Sequence, residues 1–194
     1  MESVFKMPVP VTIKARTSSI TNAFVNGIIP VIEPTDDQVD EVLNVLGMTR
    51  DTICCSYCGD TYTEWDHFRP LILNKQPTGY ISEIYNLVPS CGKCNQSKGN
   101  HDWKSWMLSE ARLSPKTRGI KDINERVKRL ESFQNMFEEK VHRLDFEDVV
   151  GTELWNEHWN NYFQILKMFD SSQQLSDKIK QVIKDQLELD RTTE

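Results

Sequence analysis

Two Cys-x-x-Cys pairs constrain this chain more than any other feature. Cys55 and Cys58 form the first pair, and Cys91 and Cys94 form the second. A Cys-x-x-Cys turn holds two thiolates close enough to share one ion, and two such turns complete the four ligands of a tetrahedral Zn²⁺. The sequence therefore predicts one structural zinc ion per chain, bound by these four cysteines.

The cysteine count and the first residues of the chain argue against a disulfide framework. The chain has 5 cysteines, so they cannot all pair. Met1–Pro8 lack the apolar run of a signal peptide, and no stretch approaches the roughly 18–20 apolar residues that cross a bilayer. We expect a cytoplasmic protein without membrane contact, where reducing conditions favour metal over disulfides. Cys54 is an alternative first ligand, but we favour the Cys55–Cys58 pair and interpret Cys54 as a small buried residue.

The segment between the two pairs is the second constraint. It holds 32 residues, whereas zinc ribbons place about 15–20 residues between their pairs, so we expect an inserted functional element. Asp66 and His67 lie there, while Asn86 and Asn95 flank the second pair. Carboxylate and amide oxygens are ligands that suit Mg²⁺ or Mn²⁺. An isolated Asp-His pair is more often structural than catalytic, so these residues alone leave both interpretations open.

The order of these motifs adds information. After the first cysteine pair, D-H-x-x-P begins at Asp66, N-L-V begins at Asn86, and C-N-x-x-K-G begins at Cys94. This order resembles the HNH endonuclease family, also called the ββα-metal or His-Me finger nucleases. The resemblance covers residues 53–101, and Asn95 stands where some members of the family have histidine.

The resemblance implies a catalytic role for four residues. His67 would be the general base that activates water, and Asp66 and Asn95 would hold one Mg²⁺ or Mn²⁺ ion. Asn86 would hydrogen-bond across the loop and fix the orientation of His67. The zinc ion would only hold the frame.

Basic side chains are concentrated just after the second cysteine pair. The chain carries a net charge of −6, yet residues 113–130 carry +4. Because local charge decides where a phosphate backbone can bind, we expect DNA as a partner. This basic segment predicts Lys116, Arg118 and Lys121 as nucleic-acid-binding residues, and the resemblance implies phosphate contacts for Arg69 and Lys98 as well.

The fold class that these patterns predict is α+β and mostly α. We expect an N-terminal extension over residues 1–47, an HNH ββα-metal module with its structural zinc over residues 48–112, and a C-terminal helical subdomain over residues 113–194. Within the extension, a capping box that begins at Thr35 predicts a helix at about residues 35–46.

The second half of the chain is predicted to be helical almost throughout. One helix is expected to start near Cys94 and run through Leu108, and another to begin at Ser114. Apolar residues three and four apart over 120–144 indicate a heptad-like seam, and residues 155–169 and 175–187 are amphipathic as two further helices. These helices form a small bundle or, alternatively, an interface for a homodimer or a partner subunit.

Two functions from different classes follow. The first is a metal-dependent endonuclease that hydrolyses phosphodiester bonds in DNA, with a role in restriction or anti-phage defence. The second is a non-catalytic zinc module that binds nucleic acid or a partner protein, in which case Asp66 and His67 are incidental.

Overall fold

The computed structural model of this chain describes residues 7–192, which form two compact units. The larger unit is Val25–Val149, and the smaller unit combines the described residues up to Phe24 with those from Val150 onward. The smaller unit thus draws on both ends of the described range, and the three segments predicted from the sequence stay a prediction. The first six residues and the last two lie outside the described range. Part of the expectation that the chain begins without a signal peptide falls on those first residues.

Helices dominate the structure, and the strands are short. The α-helices are α1 (Thr17–Asn26), α2 (Asp36–Val45), α3 (Gly92–Lys98), α4 (Trp103–Met107), α5 (Ile123–Met136), α6 (Phe146–Val150) and α7 (Thr152–Thr192). The strands are β1 (Glu64–His67), β2 (Ile72–Leu73), β3 (Gln76–Pro77) and β4 (Leu87–Ser90). Two 3-10 turns are formed by Ile13–Arg16 and Ile84–Asn86. The predicted class, α+β and mostly α, is confirmed.

A strand-strand-helix arrangement lies at the centre of the larger unit. β1 pairs antiparallel with β4, and the register places His67 opposite Leu87. Helix α3 follows β4 after a single residue, Cys91. The hairpin of β2 and β3 lies between β1 and β4 in sequence. This order is the ββα arrangement that the sequence predicts for the inserted element and the second cysteine pair.

Helix α2 forms where the sequence predicts it, because its end signals and its apolar stripe agree. Thr35 Oγ1 accepts a hydrogen bond from Gln38 N at 3.3 Å, and Gln38 Oε1 accepts one from Thr35 N at 2.9 Å. This reciprocal pair is a capping box. Val42, Leu43 and Leu46 are buried in the core of the larger unit.

The single helix predicted from Cys94 to Leu108 is wrong, because the structure has two helices there. Gly99 ends α3 with a φ of +49°, in the left-handed region that favours glycine. Asp102 then starts α4 by accepting a hydrogen bond from Ser105 N at 2.9 Å. A helix stop followed by a new N-cap therefore overrides the apolar periodicity.

The helix predicted to begin at Ser114 starts later, at Ile123. Ser114 Oγ does accept a hydrogen bond from Thr117 N at 3.2 Å, as an N-cap does. The turn ends at Gly119, whose φ is +68°. Ser114 therefore makes the hydrogen bond of an N-cap, but the next α-helix begins only at Ile123.

The heptad-like seam predicted to reach Leu144 also stops early. Helix α5 ends at Met136, and Leu144 N donates a hydrogen bond to Gly79 O at 2.9 Å. Tyr80 and Arg143 form an antiparallel bridge beside it. The backbone hydrogen-bonding groups of this part of the chain are satisfied by tertiary pairing rather than by continuation of the helix.

The core of the larger unit combines aromatic side chains with the cysteines. Phe68 stacks on Trp103 at 5.1 Å between ring centroids and meets Phe133 edge-on at the same distance. Phe133 in turn contacts Phe137, and all four rings are nearly or fully buried. Helices α4 and α5 therefore pack on the end of β1, where Phe68 directly follows His67.

The smaller unit is built on the long helix α7. Thr21 Oγ1 and Tyr162 Oη share a hydrogen bond of 2.8 Å, and Ile13 N donates to Gln173 Oε1 at 2.7 Å. The two helices predicted over residues 155–169 and 175–187 are parts of this one helix, because the polar residues between them continue it. Over the described part of the chain, no helix combines the length and the apolar character that crossing a membrane requires.

Candidate active site

Four cysteine sulfurs converge on one point. The Sγ atoms of Cys55, Cys58, Cys91 and Cys94 all lie within 4.8 Å of one another, and those of Cys58 and Cys91 are 3.7 Å apart. Zinc with Zn–S bonds of about 2.3 Å holds its sulfurs about 3.8 Å apart in a tetrahedron. All four are buried free thiols, so this cysteine cluster fits a structural zinc ion. Cys54 is half-buried and lies outside the cluster.

Local backbone geometry brings each pair of sulfurs together. Gly59 N donates to Cys55 O at 2.8 Å and closes the first turn, where Gly59 has a φ of +79°. A Cβ atom on Gly59 would lie 2.2 Å from Nη2 of Arg126, so a larger residue would displace that guanidinium as well as strain the backbone. At the start of α3, Cys94 N donates to Cys91 O at 3.0 Å, which closes the second turn.

Two arginines of the basic segment lie against the cysteine cluster. Arg118 Nη1 donates to Cys94 Sγ at 3.3 Å, and Arg126 Nη1 donates to Cys55 O at 3.1 Å. Arg126 is also ion-paired with Asp122 at 2.8 Å. Zinc with four thiolates carries a net charge of −2, so cations beside it are stabilising. Some of the positive charge that the sequence assigns to DNA binding therefore lies against the cysteine cluster instead.

Asp66 is buried in a network of its own. Its Oδ2 accepts a hydrogen bond from the Tyr57 hydroxyl at 2.7 Å and lies 3.1 Å from Lys98 Nζ. Lys98 Nζ also contacts Asp66 Oδ1 at 3.4 Å, His67 O at 2.8 Å and Gly99 O at 3.3 Å. Burial raises the pKa of Asp66, and Lys98 and Tyr57 partly offset this effect. We call Asp66 and Lys98 the acid–lysine pair.

His67 lies at the end of β1, beside the acid–lysine pair. Its Nε2 is 2.7 Å from Ser82 Oγ, and the ring is half-buried. Burial, together with the nearby charge of Lys98, lowers the pKa of His67 to about 4. The imidazole is therefore neutral at pH 7, which is the protonation state of a general base.

Asn86 closes the loop that carries Ser82. Its Oδ1 accepts from Arg69 N at 2.8 Å, and its Nδ2 donates to Arg69 O at 3.1 Å and Ile81 O at 3.4 Å. The side chain is completely buried. Asn86 thus bonds across the loop, as the resemblance implies, but it contacts the backbone on either side of the loop and not the ring of His67. Ser82, next to Ile81, makes the contact with that ring.

Asn95 lies in the first turn of α3, directly after the zinc-ligand position Cys94. Its backbone N donates to Cys91 O at 3.0 Å, and its backbone O accepts from Gly99 N at 2.9 Å. The side chain is half-buried and makes no hydrogen bond to any residue that the structure describes. Its amide oxygen is therefore available as a ligand.

The predicted nucleic-acid-binding residues fall into two groups. Lys116 and Lys121 are exposed, although Lys116 is paired with a glutamate. Arg69 is buried and ion-paired, Lys98 is buried in the acid–lysine pair, and Arg118 contacts the cysteine cluster. In this conformation only the first group presents a free surface to a phosphate.

Three residues of the site escape prediction from sequence. Tyr57 lies between Cys55 and Cys58, and the turn carries its side chain close to β1. Its position within the Cys-x-x-Cys pair is therefore a signal from which its place at the site could have been predicted. Ser82 reaches His67 only because the loop closes, and Arg126 reaches Cys55 only because α5 packs on the first turn. Nothing local in the sequence marks either contact.

The fold and the site define a class of module: a ββα unit whose helix carries half of a four-cysteine cluster positioned to hold a metal, and whose first strand ends in an Asp-His pair. Residues 55–101 match the family model for HNH endonucleases. This segment of the chain is therefore similar to HNH endonucleases. Neither the curated proteins nor the solved structures include a match to this chain.

Proposed function

We propose that this protein is a divalent-metal-dependent endonuclease that hydrolyses phosphodiester bonds in DNA. The observation that carries the proposal is the half-buried ring of His67, which contacts Ser82 Oγ through Nε2 and directly follows Asp66 within the segment that matches HNH endonucleases. Hydrolysis of a phosphodiester needs an activated water and compensation of the charge that develops on phosphorus. A general base meets the first need, and a divalent ion held by the carboxylate would meet the second.

His67 would accept the proton of the attacking water. Nε2 faces Ser82 Oγ, so a proton on Nε2 donated to that oxygen leaves the lone pair of Nδ1 free. Nδ1 is therefore the nitrogen that we assign as the base. Ser82 Oγ can accept the Nε2 proton of this tautomer, and Asn86 holds the loop beside Ser82 through its hydrogen bond to Ile81 O.

Asp66 and Asn95 would hold the divalent ion, and their hard oxygen donors suit Mg²⁺ or Mn²⁺. When bound, that ion would supply charge compensation for the scissile phosphate and the leaving oxygen. The cysteine cluster fixes α3 and thereby the position of Asn95. Lys116 and Lys121, in the basic segment, would contact the DNA backbone. The role in restriction or anti-phage defence stays a prediction from the resemblance.

The test is cleavage of supercoiled plasmid with Mg²⁺ or Mn²⁺. His67→Ala should lower the rate by about 10²–10⁴-fold, the usual contribution of a general base. His101→Ala is the matched control, because it removes an exposed imidazole just after α3. Zinc content and melting temperature should be unchanged in both variants. Cleavage by His67→Ala at the wild-type rate would exclude His67 as the base.

A non-catalytic zinc module is the second candidate, and one observation favours it. Both oxygens of Asp66 already have partners within the protein, Tyr57 and Lys98. A module of this kind should bind zinc alone. The proposed nuclease should show an additional, weaker divalent site that Asp66→Ala removes, so a metal titration separates the two functions.

A further inference from the structure

The ammonium group of Lys98 occupies a site built for a cation. Lys98 ends α3 and is completely buried. Its Nζ has four oxygen neighbours: Asp66 Oδ2 at 3.1 Å, Asp66 Oδ1 at 3.4 Å, His67 O at 2.8 Å and Gly99 O at 3.3 Å. Carboxylate and carbonyl oxygens around one positive centre are also the ligands that hard divalent ions take.

Asp66 needs a cation beside it at neutral pH. An ionised carboxylate that is removed from water is costly unless it is paired and hydrogen-bonded. The Tyr57 hydroxyl supplies one hydrogen bond, and the positive charge comes from Lys98. Two cations on the same carboxylate would repel each other strongly in this buried place. Binding of a divalent ion to Asp66 therefore conflicts with the present position of Lys98.

We propose that Lys98 is the resident cation of the metal-free site, and that a divalent ion binds Asp66 only by displacing the Lys98 ammonium toward solvent. This inference rests on the proposed function, in which Asp66 is a ligand of the catalytic ion. It gives Lys98 a role different from the phosphate contact that the sequence predicts. Lys98 sets the affinity for the ion and keeps Asp66 compensated when the ion is absent.

The surroundings of Lys98 allow this exchange without movement of α3. Gly99, Asn100 and His101 are all exposed, so the surface lies next to the buried ammonium. Among the residues that the structure describes, none beyond the chain neighbours of Gly99 and the backbone of its own helix places a heavy atom within 4 Å of where a Cβ of Gly99 would be. The Lys98 side chain can therefore rotate outward past Gly99 on its flexible four-carbon stem.

The first experiment measures Mn²⁺ affinity by electron paramagnetic resonance of the free ion, on zinc-loaded full-length protein freed of other metals. Lys98→Met should bind Mn²⁺ at least tenfold more tightly than the wild type, because no ammonium has to leave. Lys93→Met, the same substitution at an exposed position of α3, should match the wild type. The gain should disappear in Asp66→Asn/Lys98→Met. Equal or weaker Mn²⁺ binding by Lys98→Met would overturn the proposal.

A second experiment needs no variant and therefore covers the case in which Lys98→Met fails to fold. Lysines of the wild type are acetylated without and with saturating Mn²⁺ and then quantified by mass spectrometry. Lys98 should be protected without Mn²⁺ and become at least tenfold more reactive with it, while Lys93 should react equally in both. Protection of Lys98 that persists with Mn²⁺ would overturn the proposal.

These results are independent of the cleavage test. If the protein cleaves DNA through His67 but Lys98 stays protected with Mn²⁺, the exchange is wrong and the proposed function stands. If Mn²⁺ exposes Lys98 but no substrate is cleaved, the exchange stands and the proposed function fails.

Discussion

The two cation sites of the larger unit differ in how the chain builds them. The cysteine cluster takes its ligands from two short turns, each closed by local backbone hydrogen bonds. The acid–lysine pair joins Asp66 on β1 to Lys98 at the end of α3, and its contacts form only after the strands and the helix have packed. Each half of the first site can form locally, although joining the halves brings together residues 33 apart in the chain, whereas no part of the second site is local.

Helix α3 connects the two sites. Cys94 and Lys98 are four residues apart on this helix, so their side chains point to the same side. Both are completely buried. An ion at the cysteine cluster therefore fixes the rotation of α3 and places Lys98 against Asp66. The cluster should be necessary for the acid–lysine pair, and the pair should not be necessary for the cluster.

The largest expected effect tests this order directly. Cys91→Ser should abolish stoichiometric zinc binding and the fixed packing of the larger unit, because structural zinc sites contribute about 10–16 kcal/mol in small zinc domains. Metal analysis and near-ultraviolet circular dichroism measure the two losses. Cys54→Ser is the control, since Cys54 lies outside the cluster. Native packing of Cys91→Ser without zinc would show that the cluster is not the anchor.

The next effect should come from breaking the acid–lysine pair. Asp66→Asn removes the counter-charge of Lys98 and should lower the free energy of unfolding by up to about 3–5 kcal/mol, and by less to the extent that Lys98 rotates into solvent. Zinc content should stay at one ion per chain, because the cluster is built independently. The measurement is urea unfolding at pH 7.5, with Glu64→Gln, an exposed acid on the same strand, as the control.

A double variant sharpens this result. Asp66→Asn/Lys98→Met should be less destabilised than the sum of the two single variants, because no isolated charge stays buried. Additive losses would mean that the two side chains do not act as a pair.

A smaller effect is expected from the hydrogen bond between Tyr57 and Asp66. Tyr57 is completely buried, and its hydroxyl donates to Asp66 Oδ2 at 2.7 Å. Tyr57→Phe should cost about 1.5–3 kcal/mol, the usual range for a hydrogen bond to a charged group. The ring contact with Trp106 is retained, so the loss reports the hydroxyl. In the Asp66→Asn background the cost should shrink, and an undiminished cost would refute this partnership.

The comparison also explains which parts of the molecule could be predicted from sequence. The cysteine cluster and α2 were predictable, because ligand spacing and a capping box are local patterns. The lengths of the later helices were not predictable from these local patterns. Gly99 stops α3, and the hydrogen bond between Leu144 and Gly79 forms where the heptad-like seam was expected to continue. Lys98 follows the same rule: its type and spacing suggest a phosphate contact, and only the packing of α3 on β1 turns it inward.

The smallest expected effect concerns the ion pair that borders the cysteine cluster. A hydrogen bond from Arg126 lowers the pKa of Asp122, whose side chain is 42% exposed. A carboxyl with a lowered folded-state pKa adds stability that is complete above its unfolded value, about 3.9, and is lost as the pH falls through the folded value. Asp122→Asn should therefore cost less than about 1 kcal/mol, and equally at pH 7 and pH 5.

The salt dependence of the stability loss should distinguish the ion pair of Asp122 from the acid–lysine pair. The cost of Asp122→Asn in urea unfolding should fall toward zero in 1 M NaCl, because solvent-exposed charges are screened. The cost of Asp66→Asn should hardly change, because its partner Lys98 is completely buried. If both costs fell equally with salt, Asp66 and Lys98 would have to be accessible to solvent, and the buried cation site would have to be abandoned.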